Sequence, residues 1–113
     1  MIQIKVWGTT ELVFKNDNFE VHRIFINAGG YCSRHIHRYK YNLFFVENGK
    51  LSVRIFKGEN IDTTIITTNE KTIVAPGEEH QFEAETNATV YEIYYTEPIG
   101  EDIIRMTVGG MKK

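Results

Sequence analysis

The chain of 113 residues lacks several features that would place it in a special class. Cys32 is the only cysteine, which excludes an internal disulfide and favours a reducing compartment. The two prolines, Pro76 and Pro98, both fall between predicted strands. No apolar run approaches the roughly 20 residues of a membrane-spanning helix, and the start of the chain lacks the apolar core of a secretory signal. We therefore expect a cytoplasmic protein that has no membrane partner.

An excess of charge of either sign is also missing. Lys and Arg number 13 against 15 Asp and Glu, for a formal net charge of −2, and the basic residues are scattered along the chain. This distribution provides no basic surface for a nucleic acid. The hydrophobic content of 42% is enough for the core of one ordinary domain, which we place at residues 1–113.

Short β-prone segments separated by turn-forming residues fill almost the whole chain. This pattern is typical of an all-β sandwich or barrel. The clearest signal is NLFFVENGKLSVRIF, in which Asn48-Gly49 predicts a type I′ turn between the two strands of a hairpin. The other predicted strands are residues 2–6, 11–15, 19–27, 63–68, 71–74, 80–84, 90–96 and 103–108.

Three of the four histidines lie in settings that suit a metal site. His35 and His37 are two residues apart, so on a strand their rings share one face and can bind one Zn, Fe or Mn ion. His80 follows the turn at Pro76-Gly77 and would add a third imidazole from another strand. Taken alone, the H-x-H pattern is a weak signal and is more often a pair of exposed histidines than a metal site. His22 is predicted to be exposed or to make an ordinary hydrogen bond.

The spacing of these residues resembles the two motifs of the cupin superfamily. The first motif is a glycine, five residues, H-x-H, three or four residues, a Glu, six residues and a second glycine. The positions Gly29, His35-Ile-His37, Asn42 and Gly49 keep every spacing, with Asn in place of the Glu. The segment Pro76-Gly77-Glu78-Glu79-His80 matches a shortened second motif. The resemblance implies a single-domain, double-stranded β-helix (jelly-roll) barrel.

The same resemblance implies a cofactor. His35, His37 and His80 would hold a divalent metal ion, whether Zn, Mn, Fe or Ni. A neutral residue at the position of the usual Glu leaves two arrangements open. Asn42, or Tyr41 if the gap is three residues, would be a fourth ligand or would hydrogen-bond to water at the metal.

A narrower resemblance is to the small cupin domain of type II mannose-6-phosphate isomerases. It rests on Trp7-Gly8, on VHRIFINAGG and on IGEDIIR at residues 99–105. The chain departs from that family at Asn42-Leu43-Phe44, where the family tends to have Glu-His-Trp. Lys40 occupies the place of the family's basic residue, and we predict Lys40, Tyr31 and Phe82 to line a substrate pocket. Cys32 is predicted to be a small packing residue.

Three functions remain open from the sequence. The first is a metal-dependent isomerase or epimerase acting on a small polar ligand such as a sugar or sugar phosphate. The second is an Fe(II) dioxygenase, because three-histidine cupins include such enzymes. The third is a non-catalytic cupin that binds a small ligand. We also expect a homodimer, because small cupins usually pair through their outer strands, here the N-terminal strand or the strand near residues 90–96.

Overall fold

The computed structural model describes residues 1–96 and 102–112. In these residues nine strands form two antiparallel sheets, of six strands in the order β1-β2-β3-β9-β4-β7 and of three in the order β6-β5-β8. None of the described residues forms a helix that is long and apolar enough to cross a membrane. The strands are β1 Ile2–Lys5, β2 Gly8–Lys15, β3 Phe19–Ile26, β4 Tyr41–Asn48, β5 Lys50–Lys57, β6 Asn60–Thr67, β7 Lys71–Val74, β8 Glu79–Ala84 and β9 Ala88–Tyr95.

The core lies between the inner faces of the two sheets. Side chains alternate along each strand, so one row of each strand is buried. Phe44 and Val46 form this row on β4, and Phe82 and Ala84 form it on β8. Polar residues continue both rows at one end of the barrel. The remaining buried apolar residues include Ile24, Ile26, Leu51, Val53, Val74 and Val90.

The predicted hairpin at NLFFVENGKLSVRIF is wrong. β4 and β5 follow one another along the chain but pair with different neighbours, β4 with β7 and β9, and β5 with β6 and β8. Gly49 is the bend at which the chain passes from one sheet to the other. Its φ is +109°, and a Cβ at this position would lie 2.5 Å from the carbonyl oxygen of Asn87. Asn48 does not have the positive φ that a type I′ turn needs.

The predicted strand at residues 103–108 is also wrong. Residues 102–112 have no regular secondary structure, and they are exposed. Ile104, Met106 and Val108 alternate with other residues as in a half-buried strand, but they are exposed and no sheet of the described residues includes them. Pro98 and residues 99–101 of the isomerase-like segment lie outside the described residues. The remaining predicted strands are confirmed, with ends that differ by no more than three residues.

Candidate metal centre

The backbone holds two of the predicted histidines directly opposite each other. The His35 N–H donates to the carbonyl of His80 at 3.1 Å, and the His80 N–H donates to the carbonyl of His35 at 3.0 Å. The Gly77 N–H donates to the carbonyl of His37 at 2.8 Å, so the turn before β8 fixes the position of His37. His35 and His37 lie in an extended loop between β3 and β4, outside the strands of the two sheets. Their rings nevertheless converge.

The three imidazole rings meet at one point. Their centroids are 4.5 Å apart for His35 and His80, 4.9 Å for His35 and His37, and 5.3 Å for His37 and His80. One ring nitrogen from each residue lies within 4.8 Å of the other two. Nitrogens bound to one ion at about 2.1 Å are no more than about 4.2 Å apart. Small ring rotations would therefore bring all three nitrogens to bonding distance.

Hydrogen bonds fix which ring nitrogens are available. The His35 Nδ1 lies 2.8 Å from the carbonyl oxygen of Ser33, and the His80 Nδ1 lies 2.9 Å from that of Glu78. A carbonyl only accepts, so each Nδ1 carries the hydrogen and each neutral ring keeps a lone pair on Nε2. The His37 Nε2 is buried and has no hydrogen-bond partner in the described part of the chain. This pattern fits a divalent metal, because carbonyls orient metal-binding histidines in the same way.

Burial favours the neutral form of two of the three histidines, His37 and His80. Desolvation, with added repulsion from His35 and His80, lowers the pKa of His37 to about 4. Desolvation also lowers the pKa of His80, against the hydrogen bond with the Glu78 carbonyl. Neutral imidazole is the form that binds a metal ion, so these two residues do not need to lose a proton at neutral pH before binding.

Asn42 is fully buried beside the cluster. Its Nδ2 lies 3.4 Å from the His80 Nε2 and 3.3 Å from a carboxylate oxygen of Glu92 on β9. Its Oδ1 is buried and has no partner among the described residues. The structure therefore brings a carboxylate to the site from a strand that the sequence motifs do not include.

A cavity of about 640 Å³ reaches the cluster from outside. His35 and His37 line it, whereas His80 and Asn42 are buried behind its wall. On one side Trp7 packs edge-on against Phe82, with ring centroids 5.2 Å apart, and this pair forms an apolar wall. The other side is polar and includes His22, Lys40, Glu92 and Tyr94.

Comparison of the sequence with protein-family models and with curated proteins finds no match. Comparison of the structure does find similar proteins. The cupin domain of Schizosaccharomyces pombe Cnp3 has a TM-score of 0.73 and 17% identity, over 86% of this chain and 69% of that one. KdgF from Halomonas has a TM-score of 0.73 and 13% identity, over 87% of this chain and 89% of that one. The chain has the cupin fold.

A third similar structure is a variant of the Bacillus subtilis oxalate decarboxylase. It has a TM-score of 0.75 and 14% identity, over 85% of this chain but only 27% of that one. At such low identities the likeness establishes the cupin fold, and it does not establish an activity. The fold predicted from the sequence motifs is confirmed.

The two residues that we predicted to lie near the metal, Asn42 and Tyr41, point to opposite faces of β4. Asn42 and Tyr41 are consecutive on β4, so their side chains alternate. Asn42 is inside, next to His80. Tyr41 is only half-buried and stacks on Tyr95 of β9, with ring centroids 5.2 Å apart and an angle of 12° between the planes. Of the two, Asn42 is the one that the structure brings to the histidines.

The three residues that we predicted for the substrate pocket are not all together. Lys40 and Phe82 line the cavity next to the histidines. The Lys40 Nζ lies 4.0 Å from a carboxylate oxygen of Glu20, which also lines the cavity. Tyr31 is exposed and borders an adjoining groove instead. Cys32 is buried in the core as predicted.

Two residues of the cavity, Glu92 and His22, were not predicted as site residues from the sequence. His22 makes the ordinary contact that we predicted, at 3.4 Å from Glu20, yet it also lines the cavity. A signal for Glu92 was present in the alternation of β9. Val90 is apolar and faces the core, so the residue two positions further on the same strand must also face inward. A carboxylate in such a row indicates a buried polar site.

Proposed function

We propose that the protein is a metal-dependent cupin that moves a proton within a small hydroxy-carbonyl compound, as a sugar or sugar-phosphate isomerase or epimerase does. The observation that carries the proposal is the cluster of His35, His37 and His80 at the end of a cavity of about 640 Å³. Cavities of about 300–1,000 Å³ suit small-molecule ligands.

The donor set suits this chemistry. A divalent ion held by three neutral imidazoles would keep its charge and would act as a Lewis acid towards a ligand oxygen. Trp7 and Phe82 give part of the cavity an apolar lining, which suits the carbon skeleton of a small ligand. Lys5 and Lys40 stand on its wall and would favour a ligand with a negatively charged group. The resemblance of the segment around Trp7-Gly8 to isomerase domains supports the same reaction class.

A second function is favoured by one observation. The close cluster consists of three imidazoles and contains no carboxylate among the described residues. This ligand set also suits an Fe(II) dioxygenase, in which imidazole ligands leave positions open for oxygen and substrate. The third function is a cupin that only binds a small ligand, and the experiment below also tests it.

Metal analysis and two reaction assays separate these functions. We expect about one Zn or Mn ion per chain after purification, and hydrogen–deuterium exchange into mannose-6-phosphate or fructose-6-phosphate in D2O, followed by proton NMR. An iron content together with oxygen uptake in a panel of small acids, thiols and diketones would instead support the dioxygenase. Bound metal without either reaction would support the binding protein.

Histidine variants test the site itself. We expect His35→Ala and His80→Ala each to lower metal content at least tenfold, because each removes one of three ligands. His22→Ala is the matched control, since it removes the one histidine outside the cluster and should keep the metal. Unchanged metal content in both cluster variants would contradict the proposed centre.

A further inference from the structure

The carboxylate that the motif lacks at position 42 is present one strand away. β4 and β9 are paired, with Asn42 opposite Tyr94 and Phe44 opposite Glu92. Asn42 and Glu92 therefore lie diagonally across the strand pair, and both face inward. Glu92 lines the cavity, whereas Asn42 is enclosed behind it. Only the Glu92 side chain can touch a ligand in the cavity.

Two neighbouring groups, on His80 and on Glu92, determine how the Asn42 amide is oriented. Because the His80 Nδ1 donates to the Glu78 carbonyl, the His80 Nε2 can only accept in the neutral ring. The Glu92 carboxylate also accepts. Without a bound metal, both acceptors lie within 3.4 Å of the same amide nitrogen, so the NH₂ group of Asn42 faces them. A metal ion bound at the His80 Nε2 would replace the first of these contacts and leave the contact with Glu92. Turning the amide to place Oδ1 towards a metal would set that oxygen against the carboxylate.

The surroundings of Glu92 suit proton transfer. Burial raises the pKa of this carboxyl group, while hydrogen bonds from Tyr94 and Asn42 and the nearby rings of His22 and His35 oppose the rise. A carboxylate whose pKa is raised by burial binds a proton more strongly, so it can both take and return a proton. Burial raises the pKa of the Tyr94 hydroxyl well above its ordinary value, so this neighbour remains a hydrogen-bond donor.

We propose that Glu92 is the acid–base residue of the cavity and that Asn42 is the positioning residue that holds its carboxylate. The inference deepens the proposed function and rests on it. Glu92 takes the proton from the carbon next to the substrate carbonyl, and the electron pair of that C–H bond moves towards the carbonyl group. The proton then returns from Glu92 to the adjacent carbon, and the hydroxyl hydrogen passes between the two oxygens. Atoms and electrons balance without a further reactant.

The competing base in the cavity is His22. It lies opposite Glu92 in the pairing of β3 and β9, and its Nε2 is 3.4 Å from a Glu20 oxygen. His22 is engaged at the rim by this contact, whereas Glu92 lies next to the amide that contacts His80. Variants of both residues are therefore needed in one experiment.

The first test measures exchange of the proton and metal content together. The zinc- or manganese-loaded protein is incubated with mannose-6-phosphate in D2O, and exchange is followed by proton NMR. We expect Glu92→Gln to slow exchange at least about 100-fold while about one metal ion per chain remains bound. Asn42→Ala should slow exchange about tenfold, also with the metal retained. Glu47→Gln is the matched control, since Glu47 pairs with Arg23 on the outer surface and should leave exchange unchanged.

The second test uses the metal-free protein and no substrate. Carbon NMR of the glutamate carboxyl groups, assigned with the Glu92→Gln variant, follows the titration of Glu92. Asn42→Ala should raise the midpoint of that titration, because it removes a hydrogen bond that favours the ionised form. An unchanged midpoint would overturn the positioning role of Asn42.

The outcomes separate this inference from the proposed function. Exchange in Glu92→Gln within threefold of wild type, with loss of exchange in His22→Gln, would overturn the role of Glu92 and leave the isomerase intact. Loss of bound metal in Glu92→Gln would make Glu92 a ligand and would also overturn the inference. No exchange in the wild type with either sugar phosphate would overturn the proposed function and the inference together.

Discussion

Burial of Glu92 makes its charged form costly, and this cost depends on pH. Its carboxyl group is enclosed between β3, β4 and β9 and faces Tyr94, Asn42, His22 and His35. Burial raises the pKa in the folded protein above the unfolded value. The unfolded chain therefore loses this proton at a lower pH than the folded chain does.

Because its pKa is raised on folding, Glu92 makes the folded protein less stable as pH rises. The stability that protonated Glu92 contributes is fully present below its unfolded pKa and is lost as pH rises through its folded pKa. We expect metal-free Glu92→Gln to gain stability relative to wild type as pH rises from about 4 to 8, because glutamine carries no charge. Urea unfolding at several pH values measures the difference. A difference that is independent of pH would contradict a raised pKa.

Cys32 gives a second prediction at the residue scale. Burial raises the pKa of its thiol to about 11, against the Phe82 N–H that contacts Sγ at 3.2 Å. At pH 8 only about one thiol in a thousand would be ionised, and the thiolate is the reactive form. We expect no reaction of the native protein with Ellman's reagent over an hour and complete reaction in guanidinium chloride. A native rate equal to the denatured rate would contradict this.

At the scale of the elements, the bend between β4 and β5 decides how the chain divides between the two sheets. Gly49 has a φ of +109°, and a Cβ there would lie 2.5 Å from the Asn87 carbonyl oxygen. We expect Gly49→Ala to lower the free energy of unfolding by about 3 kcal/mol, of which backbone strain contributes roughly 1–3 kcal/mol.

A second glycine provides the control for this prediction. Gly58 lies in the two-residue turn between β5 and β6, with a φ of +61° and open space around the position of a Cβ. Gly58→Ala should therefore cost only about 1 kcal/mol, from the left-handed conformation alone. Equal costs at the two glycines, measured by denaturant unfolding, would show that the close approach to Asn87 does not matter.

The elements also show what could be predicted from the sequence. Alternation and turn residues located all nine strands of the described chain within three residues at each end. The partners of a strand depend on contacts between distant segments, so Asn48-Gly49 predicted a hairpin where the chain changes sheet. The histidine spacing identified a cluster that the backbone bridge between His35 and His80 brings together. Glu92 belongs to no motif, and its place at the site depends on the pairing of β4 with β9, which sets it diagonally beside Asn42.

At the scale of the whole molecule, one row of apolar side chains crosses the outer face of the six-stranded sheet. The register places these residues side by side on five strands, and none of them faces the core. Phe14 and Ile73, at the two ends of the row, are 51% and 45% exposed. The row consists of Phe14, Val21, Ile93, Leu43 and Ile73. Rows of this kind are commonly covered by a partner.

The homodimer remains a prediction, and this row is the surface that we propose for it. A two-fold axis near the middle of the row would pack it against the same row of a second copy, because a symmetric interface uses one patch twice. We expect wild type to sediment as a dimer at micromolar concentration and Phe14→Glu to raise the dissociation constant at least about tenfold, since a buried unpaired charge is costly. Ile65→Glu is the matched control, because Ile65 is 53% exposed on β6 of the other sheet. A monomeric wild type, or equal weakening by Ile65→Glu, would contradict an interface at this row.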